Sequence, residues 1–220
     1  MGELLLEARS ISRKVGDLIL LDQISLSVSR GDRIALVGQS GSGKTVLLRA
    51  LAMLDPLDSG AMYWKGKPVA DAFVPQFRSQ AIYVHQKPAL FEGTVEQNLK
   101  RPFLLRIHQD KKFNRQQAVG QLEMLGRDES FLNKAYQDLS GGESQLTALL
   151  RATQLDPVVL LLDEPTAALD DQTTAIVEAL VSNWWNEKQE QRATIWVTHD
   201  YNQAERISHK IWQMEKGKMV

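Results

Sequence analysis

A glycine-rich stretch around residue 40 limits what this chain can fold into more than any other part of the sequence. A short apolar segment at 33–37 precedes it, and a helical apolar pattern begins after it at Val46. A loop between a buried strand and a helix, with glycines that turn its N–H groups toward an anion, is the form of a phosphate-binding loop. The residues expected to contact phosphate are Gly38, Gln39, Ser40, Gly41, Ser42, Gly43, Lys44 and Thr45.

Two side chains of this loop have separate expected tasks. Lys44 is expected to reach the β- and γ-phosphates of a nucleotide, and the Thr45 hydroxyl is expected to bind Mg²⁺. The alternative is a glycine-rich turn with an ordinary exposed lysine. It is disfavoured because the G-x-x-x-x-G-K-T spacing is complete and lies between a strand and a helix.

Composition restricts the partners of the chain. Its 220 residues are enough for one sizeable core, and 26 basic against 27 acidic residues give a net charge of −1, which does not favour nucleic acid or anionic lipid. The absence of cysteine excludes disulfides and favours a reducing compartment. No apolar run approaches the roughly 18 to 20 residues of a spanning helix, and the first residues lack the basic segment of a signal peptide. We expect a soluble, cytosolic protein that does not bind nucleic acid.

Apolar periodicity predicts a sequence of strands and helices. Strands are predicted at 4–6, 18–21, 24–28, 33–37, 61–64, 82–84, 158–162, 194–198 and 210–214, with breaks at 16–17 and 22–23. Helices are predicted at 44 to about 54, from 140 onward, at 175–186 and at 201–208, and helical spacing also occupies 88–138.

Alternating strands and helices indicate an α/β fold. We predict a P-loop NTPase core with a mostly parallel sheet, an N-terminal antiparallel β subdomain and an inserted helical subdomain at about 88–150. The whole chain, 1–220, is predicted to form a single domain.

Two carboxylates, Asp163 and Glu164, follow the apolar run at 158–162. A phosphate loop beside that strand end would place Mg²⁺ and a γ-phosphate near them. Asp163 is then a direct or water-mediated partner of Mg²⁺, and Glu164 is the base that orients or deprotonates the attacking water. Taken alone, two acids here also fit a solvated strand end, but the earlier phosphate loop favours the site.

The segment from Leu139 to Glu143 carries a family resemblance. Its residues Ser140, Gly141 and Gly142 are similar to the signature loop of the ATP-binding cassette (ABC) family, and we call them the signature loop. The chain resembles this family over essentially its whole length. Further elements of the family pattern occur in order, namely Gln86, Asp163-Glu164-Pro165, Ala168-Leu169-Asp170 and His199.

The resemblance implies an ATPase in which two copies face head to tail with two ATP molecules between them. Ser140, Gly141 and Gly142 would bind the γ-phosphate of the nucleotide held by the other copy. Asp170 matches the aspartate that crosses the dimer interface in the family. ATP and Mg²⁺ are the implied cofactors.

Two further residues acquire roles from the resemblance alone. Gln86 would sense Mg²⁺ and the lytic water; the less favoured alternative is a polar residue at a strand end. His199 would hydrogen-bond the γ-phosphate, although a lone histidine is usually structural. With Glu164, these residues complete the implied catalytic set.

The chain departs from the family pattern at two positions. Leu146 occupies a place where a basic residue usually follows Gln145. The aromatic residue that usually stacks on adenine falls near Val15, and no aromatic residue precedes Tyr63. We therefore expect Val15 to contact the base and the base to be weakly selected.

A cassette without membrane segments usually serves a separate integral membrane subunit, on the cytoplasmic face of the inner (plasma) membrane. The docking residues expected in this chain are Leu90, Phe91, Leu99 and Phe103. The chain also resembles small bacterial cassettes linked to iron export or metal tolerance. Two alternatives stay open: a non-transport cassette in DNA repair, chromosome structure or translation, and a regulatory scaffold. Substrate and transport direction are not encoded in these motifs.

Overall fold

Two β-sheets form the framework of the molecule, which was obtained as a computed structural model that describes residues 2–220. The main sheet has the order β10-β9-β3-β8-β7-β6, and the smaller sheet has the order β2-β1-β4-β5. The strands are β1 (Leu4–Val15), β2 (Leu18–Ser29), β3 (Arg33–Val37), β4 (Ser59–Trp64), β5 (Lys67–Pro68), β6 (Ala81–Val84), β7 (Val159–Asp163), β8 (Ala193–Val197), β9 (Lys210–Glu215) and β10 (Lys218–Met219).

Helices pack on both faces of the main sheet. The α-helices are α1 (Lys44–Leu51), α2 (Val74–Arg78), α3 (Val95–Lys100), α4 (Arg115–Met124), α5 (Gly141–Thr153), α6 (Asp171–Glu187) and α7 (Tyr201–Ile207). Short 3₁₀ turns lie at Asp71–Phe73, Arg101–Leu104, Arg106–His108, Glu129–Asn133 and Tyr136–Asp138. Within residues 2–220, none of the helices combines the length and the apolar character needed to cross a membrane.

The five strands β9, β3, β8, β7 and β6 are parallel. Every residue of β7 and β8 is buried, as expected for parallel strands covered on both faces. The carboxyl ends of these strands share one edge of the sheet, where α/β proteins bind their ligands. The predicted α/β class with a mostly parallel sheet is confirmed.

The N-terminal sheet is antiparallel, as predicted, but its strands are longer than the sequence indicated. The break predicted at 22–23 is wrong, because β2 continues through it as a bulge. Gln23 has a left-handed backbone with φ 49°, and its N–H donates to Ser12 Oγ of β1 at 3.0 Å. The partner strand therefore satisfies a backbone that the local sequence marks as a turn.

The helical regions also differ in detail. Helix α1 ends at Leu51 rather than near residue 54, because Met53 turns left-handed with φ 56°. The segment at 88–138 is helical as predicted, but it consists of α3, α4 and several 3₁₀ turns rather than long helices. Helix α2 was not predicted from the sequence.

The apolar core has two large parts, one on each face of the main sheet. One lies between the main sheet, α1 and the antiparallel sheet, and it includes Leu47 and Leu161. The other lies between the sheet and helices α3 to α6, and it includes Leu160 and Leu162. Alternate residues of β7 thus supply both parts, so this strand is held rigidly from both sides.

Candidate active site

The predicted phosphate loop joins β3 to α1 at the carboxyl edge of the main sheet. Gly38 and Gly43 have φ of 153° and 106°, a region that L side chains rarely adopt. A Cβ at Gly38 would lie 2.3 Å from the Met214 carbonyl oxygen, and one at Gly43 would lie 2.8 Å from the Leu20 carbonyl oxygen. Both positions therefore require glycine, because two neighbouring strands crowd the base of the loop.

The N-terminus of α1 is left open. Its N-cap is Gly43, no side chain caps its N–H groups, and its first turn holds no acidic residue. The first N–H groups of a helix lack intrahelical partners and attract anions. The loop residues Gln39, Ser40 and Gly41 above them are exposed. An anion can therefore reach these N–H groups.

Lys44 places its cation inside the loop. The side chain donates to the carbonyl oxygens of Gly38 at 2.8 Å and Gln39 at 3.0 Å, and Lys44 is only 5% exposed. Among residues 2–220 no carboxylate forms an ion pair with it. The buried Ser42 Oγ in the same loop has no hydrogen-bond partner in this part of the chain either. A buried cation without a counter-charge and an unsatisfied hydroxyl fit an anionic ligand such as a polyphosphate.

Asp163 connects the loop to the acidic end of β7. Thr45 Oγ1 donates to Asp163 Oδ1 at 3.1 Å, and Tyr83 Oη donates to Asp163 Oδ2 at 2.7 Å. Burial and the hydrogen bond to Asp163 raise the pKa of the Tyr83 hydroxyl, so it stays protonated and donates. A hydroxyl oxygen beside a carboxylate offers the hard oxygen ligands that Mg²⁺ prefers, so this pair fits the ion.

Glu164 and Gln86 meet next to this pair. Gln86 Nε2 donates to Glu164 Oε2 at 3.0 Å. Glu164 has φ 44°, an uncommon value for a residue other than glycine. The backbone turns sharply after Asp163. The carboxylate of Asp163 therefore accepts from Thr45 and Tyr83, whereas that of Glu164 accepts from Gln86.

His199 follows β8 and is exposed at the same edge of the sheet. It lines a cleft of about 210 Å³ together with Glu164 and Thr198. Residues following β3, β6, β7 and β8 therefore gather in one region, although the sequence distances between them are large. The predicted residues brought together there are Gly38, Lys44, Thr45, Gln86, Asp163, Glu164 and His199.

The signature loop lies at the start of α5, where Gly141 lines a pocket together with Gln86 and Glu164. Ser140 Oγ accepts from the Glu143 N–H at 3.2 Å, and Glu143 Oε2 accepts from the Ser140 N–H at 3.1 Å, which forms a capping box. Gly141 is exposed, and a Cβ there would meet no atom within 4 Å. The open side of this turn can accommodate a ligand from outside the chain.

Glu143 puts a negative charge beside the signature loop. Its carboxylate accepts from Lys134 Nζ at 2.8 and 3.0 Å, and Arg127 lies 3.6 Å away. Burial tends to raise the pKa of this carboxyl, but the bonds from Lys134 and the Ser140 N–H lower it below its ordinary value. The nearby cations are therefore engaged with Glu143.

Asp170 caps helix α6. Its carboxylate accepts from the Thr173 N–H at 2.8 Å and from Thr173 Oγ1 at 2.9 Å, and these bonds lower its pKa. The residue is exposed, so the carboxylate is positioned at the surface. Val15 is also exposed, at 58%, at the tip of the hairpin between β1 and β2, beside the exposed Leu18 and Ile19.

Sequence reasoning missed two features of the site. Tyr83 was not singled out, although its contact with Asp163 follows from the alignment of two strands that the sequence alone does not give. Leu18 and Ile19 extend the apolar surface around Val15. The unusual Leu146 is buried in the second part of the core, so packing explains the loss of the usual basic residue.

The prediction that Leu99 is a docking residue is wrong. Leu99 is fully buried, whereas Phe91 is exposed under the guanidinium of Arg101 at 3.9 Å. Leu90 and Phe103 are half-buried. Exposed apolar side chains occur instead in and between the neighbouring 3₁₀ turns, at Leu104, Leu105 and Ile107, and before α3, at Phe91. We call these four residues the apolar patch.

Comparison with known proteins agrees with this geometry. The model of the ABC transporter family matches residues 21–167, which contain the phosphate loop, the signature loop and both strand-end carboxylates. The chain belongs to the ABC transporter family. This ABC protein is therefore an ATP-binding ATPase, and the resemblance noted in its motifs is confirmed.

Relatives of this ABC protein serve transport in both directions. It is 34% identical over 206 residues to the probable iron export ATP-binding protein FetA of Escherichia coli, covering 92% of this chain and 89% of that protein. It is 36% identical over 215 residues to a probable sulfate/thiosulfate import ATP-binding protein, CysA of Chlorella vulgaris, covering 96% and 87%.

Solved structures share the fold of this ABC protein. The ATP-binding cassette MJ0796, solved as a dimer in a post-hydrolysis state with ADP and Pi, has a TM-score of 0.85 at 26% identity and covers 98% of this chain and 96% of its own. The cbiO1 protein of Clostridium perfringens, part of the transporter complex cbiONQ, has a TM-score of 0.83 at 23% identity and covers 99% and 87%. The second likeness shows the fold alone.

Proposed function

We propose that this ABC ATPase binds Mg²⁺·ATP in the phosphate loop, closes head to tail on a second copy, and drives transport through a separate integral membrane subunit. The hydrogen bond from Thr45 Oγ1 to Asp163 Oδ1 carries the proposal. It unites the loop and the acidic strand end in one site, as a nucleotide-bound Mg²⁺ requires.

The phosphates would bind to the open N–H groups of residues 38–45 and to Lys44 Nζ. Lys44 Nζ donates to neutral carbonyl oxygens of the loop. A bound phosphate would offer anionic oxygens instead, which are stronger acceptors. Mg²⁺, when bound, would supply charge neutralisation for the phosphates. Thr45, Asp163 and Gln86 are its proposed partners.

Glu164 is proposed to orient or deprotonate the attacking water. Its contact with Gln86 supports the assignment, because Gln86 donates through Nε2 to Glu164 and its Oε1 would be the atom able to bind a metal. His199 would hydrogen-bond the γ-phosphate from the other side of the cleft that it shares with Glu164. Glu164, Gln86 and His199 thus form the proposed catalytic set.

A second copy is proposed because Gly141 of the signature loop is open to a ligand, and residues 38–45 of the same chain do not line the pocket that Gly141 shares with Gln86 and Glu164. Ser140, Gly141 and Gly142 would contact the γ-phosphate held by the partner, and Asp170 would lie at the interface. The dimeric MJ0796 structure supports this arrangement. A head-to-tail pair of identical copies has twofold symmetry and forms two equivalent sites.

The membrane subunit is proposed to dock on the apolar patch. Leu104 is 83% exposed. Groups of exposed apolar side chains are typical of interaction surfaces. The likeness to FetA and CysA, which are named as ATP-binding proteins of export and import, supports a separate membrane partner. The protein would then work in the cytoplasm, peripherally on the cytoplasmic face of the inner (plasma) membrane.

Two cargo hypotheses come from the relatives. FetA supports export of iron or another metal, and CysA supports import of sulfate or thiosulfate. Coverage is equally complete for both relatives, and we propose metal export as the first to test because the motifs of the chain also resemble small bacterial cassettes linked to iron export. The identity of the membrane subunit would decide between the two.

The experiment is to purify the tagged Glu164→Gln variant from native membranes and identify an integral membrane protein bound in fixed stoichiometry. Leu104→Glu should lose this partner, whereas Ile211→Glu should retain it, because Ile211 is exposed on β9 at the opposite side of the main sheet. Equal recovery with both variants would contradict docking on the apolar patch. Cargo movement that depends on Glu164 in reconstituted vesicles separates a transporter from a regulatory scaffold.

A further inference from the structure

Tyr83 lies on β6, next to the strand that carries Asp163. The two strands are parallel, and Tyr83 pairs with Leu161 in the register. Because side chains alternate along a strand, Tyr83, Leu161 and Asp163 point to the same face of the sheet, toward α1. Asp163 lies two residues, or about 6.6 Å, farther along that face. A tyrosine can span this distance with its hydroxyl, and a phenylalanine ring stops short.

The carboxylate of Asp163 is held from two directions. Thr45 donates to Oδ1 and Tyr83 donates to Oδ2, and Asp163 is only 3% exposed. Two donors on different oxygens fix the rotation of the carboxylate about its Cβ–Cγ bond. Each oxygen retains a lone pair for a metal ion or a metal-bound water.

The two donors differ in what happens when a nucleotide binds. The Thr45 oxygen would be occupied by Mg²⁺, so its bond to Asp163 would have to be rearranged. The Tyr83 hydroxyl lies on the other side of the carboxylate and would keep its bond. Hydrogen bonds behind a metal-binding carboxylate orient it, and their loss typically costs about 10–100-fold in metal affinity or activity.

We propose that Tyr83 is a positioning residue that orients Asp163 for Mg²⁺ through its hydroxyl. The inference rests on the Mg²⁺ site of the proposed function. It does not depend on dimer formation or on a membrane partner. Tyr83 itself touches neither nucleotide nor metal in this assignment.

The test measures metal binding rather than turnover. Mn²⁺ replaces Mg²⁺, and its affinity for the ATP complex of the full chain is determined by electron paramagnetic resonance. Tyr83→Phe should weaken Mn²⁺ binding by about tenfold, at the low end of the range for such partners. ATP binding in excess EDTA should change less than about twofold, because the hydroxyl of Tyr83 donates to Asp163 and not to the phosphate loop.

Tyr63→Phe is the matched control, since Tyr63 is also a half-buried strand tyrosine but lies on the antiparallel sheet. It should leave Mn²⁺ affinity unchanged. Thermal unfolding without nucleotide establishes that both variants are folded.

The Asp163→Asn background separates positioning from a general structural effect. If Tyr83 acts through Asp163, adding Tyr83→Phe there should change the remaining Mn²⁺ affinity by less than about twofold. An equal loss in both backgrounds would overturn the proposal. Unchanged Mn²⁺ affinity in the single variant would overturn it as well. If neither Tyr83→Phe nor Asp163→Asn affected Mn²⁺ binding, the metal site of the proposed function would itself be wrong.

Discussion

The phosphate loop and the signature loop both expose glycines at the start of a helix, but their surroundings differ. Helix α1 has no side-chain cap and no acid in its first turn, and Lys44 lies buried beside it. Helix α5 is capped by its own Ser140 and Glu143, and the nearby Lys134 is paired with Glu143. The first helix has uncapped N–H groups beside a buried cation, whereas the second helix has part of its N-terminus satisfied by its own side chains.

This difference indicates which loop supplies the affinity for ATP. A loop with a cation, open N–H groups and an adjacent carboxylate for Mg²⁺ can bind ATP alone. A loop without a free cation adds little by itself and contributes when a phosphate is presented to it by another molecule. Damage to the first loop should therefore reduce nucleotide binding, and damage to the second should reduce hydrolysis.

Lys44→Ala should have the largest effect, and it tests whether the phosphate loop supplies the affinity for ATP. Charge-assisted hydrogen bonds to phosphate contribute about 1.5–3 kcal/mol each, so the loss of two such bonds should lower ATP affinity at least about a hundredfold. Titration with a fluorescent ATP analogue measures it. Lys134→Ala is the control, and its affinity for the analogue should match the wild type. If Lys44→Ala lowered the affinity for the analogue by less than about threefold, the assignment of this cation to the phosphates would be refuted.

Ser140→Arg tests whether the signature loop acts in hydrolysis rather than in ATP binding. The bulky cation should block closure and abolish hydrolysis, because the signature loop is proposed to act on the nucleotide of the partner. Binding of the ATP analogue by the monomer should change by less than about tenfold, roughly 1.4 kcal/mol. If monomer affinity fell further, Ser140 would belong to the site of its own chain.

Neither loop contacts the base, so base selectivity sharpens the comparison. With the exposed Val15 as the proposed neighbour of the purine, we expect GTP and ATP to differ by less than about tenfold in kcat/KM. Val15→Tyr should tighten binding by up to about 1–3 kcal/mol, the value of base stacking, with little change in kcat. Steady-state assays with both nucleotides test this. A wild-type preference for ATP above about a hundredfold would contradict it.

The smallest effect concerns the cap of the signature loop. The pKa of Glu143 is lower in the folded chain than its ordinary value of 4.5, so its stabilisation is present above that pH and is lost as the pH falls through the folded pKa. Urea unfolding at about pH 6 and about pH 3 should show the wild type losing about 1 kcal/mol more than Glu143→Gln, which retains the capping hydrogen bond. Equal losses would show that the ion pairs with Lys134 and Arg127 contribute nothing.

The sequence predicts this molecule well where the information is local. The phosphate loop could be recognised because a strand, three glycines and a helix follow each other within a few residues. The acids of β7 could be recognised because a fully buried strand is a continuous apolar run. Both inferences require only neighbouring residues, and so did the α/β class.

Features that depend on the pairing of distant segments could not be predicted. The bulge at Gln23 exists because Ser12 on the neighbouring strand accepts its N–H. Tyr83 reaches Asp163 across a separation of 80 residues because two parallel strands adopt one register. Leu99 looked available for docking because the sequence does not show which face of α3 packs inward.

The mass of the Glu164→Gln variant in the presence of Mg²⁺ and ATP tests the central claim most directly. The amide should bind ATP without hydrolysing it, so size-exclusion chromatography with light scattering should give a dimer, twice the 24.8 kDa chain. Adding Ser140→Arg to this variant should return it to the monomer with ATP still bound. A Glu164→Gln monomer saturated with nucleotide would contradict the division of the site between two copies.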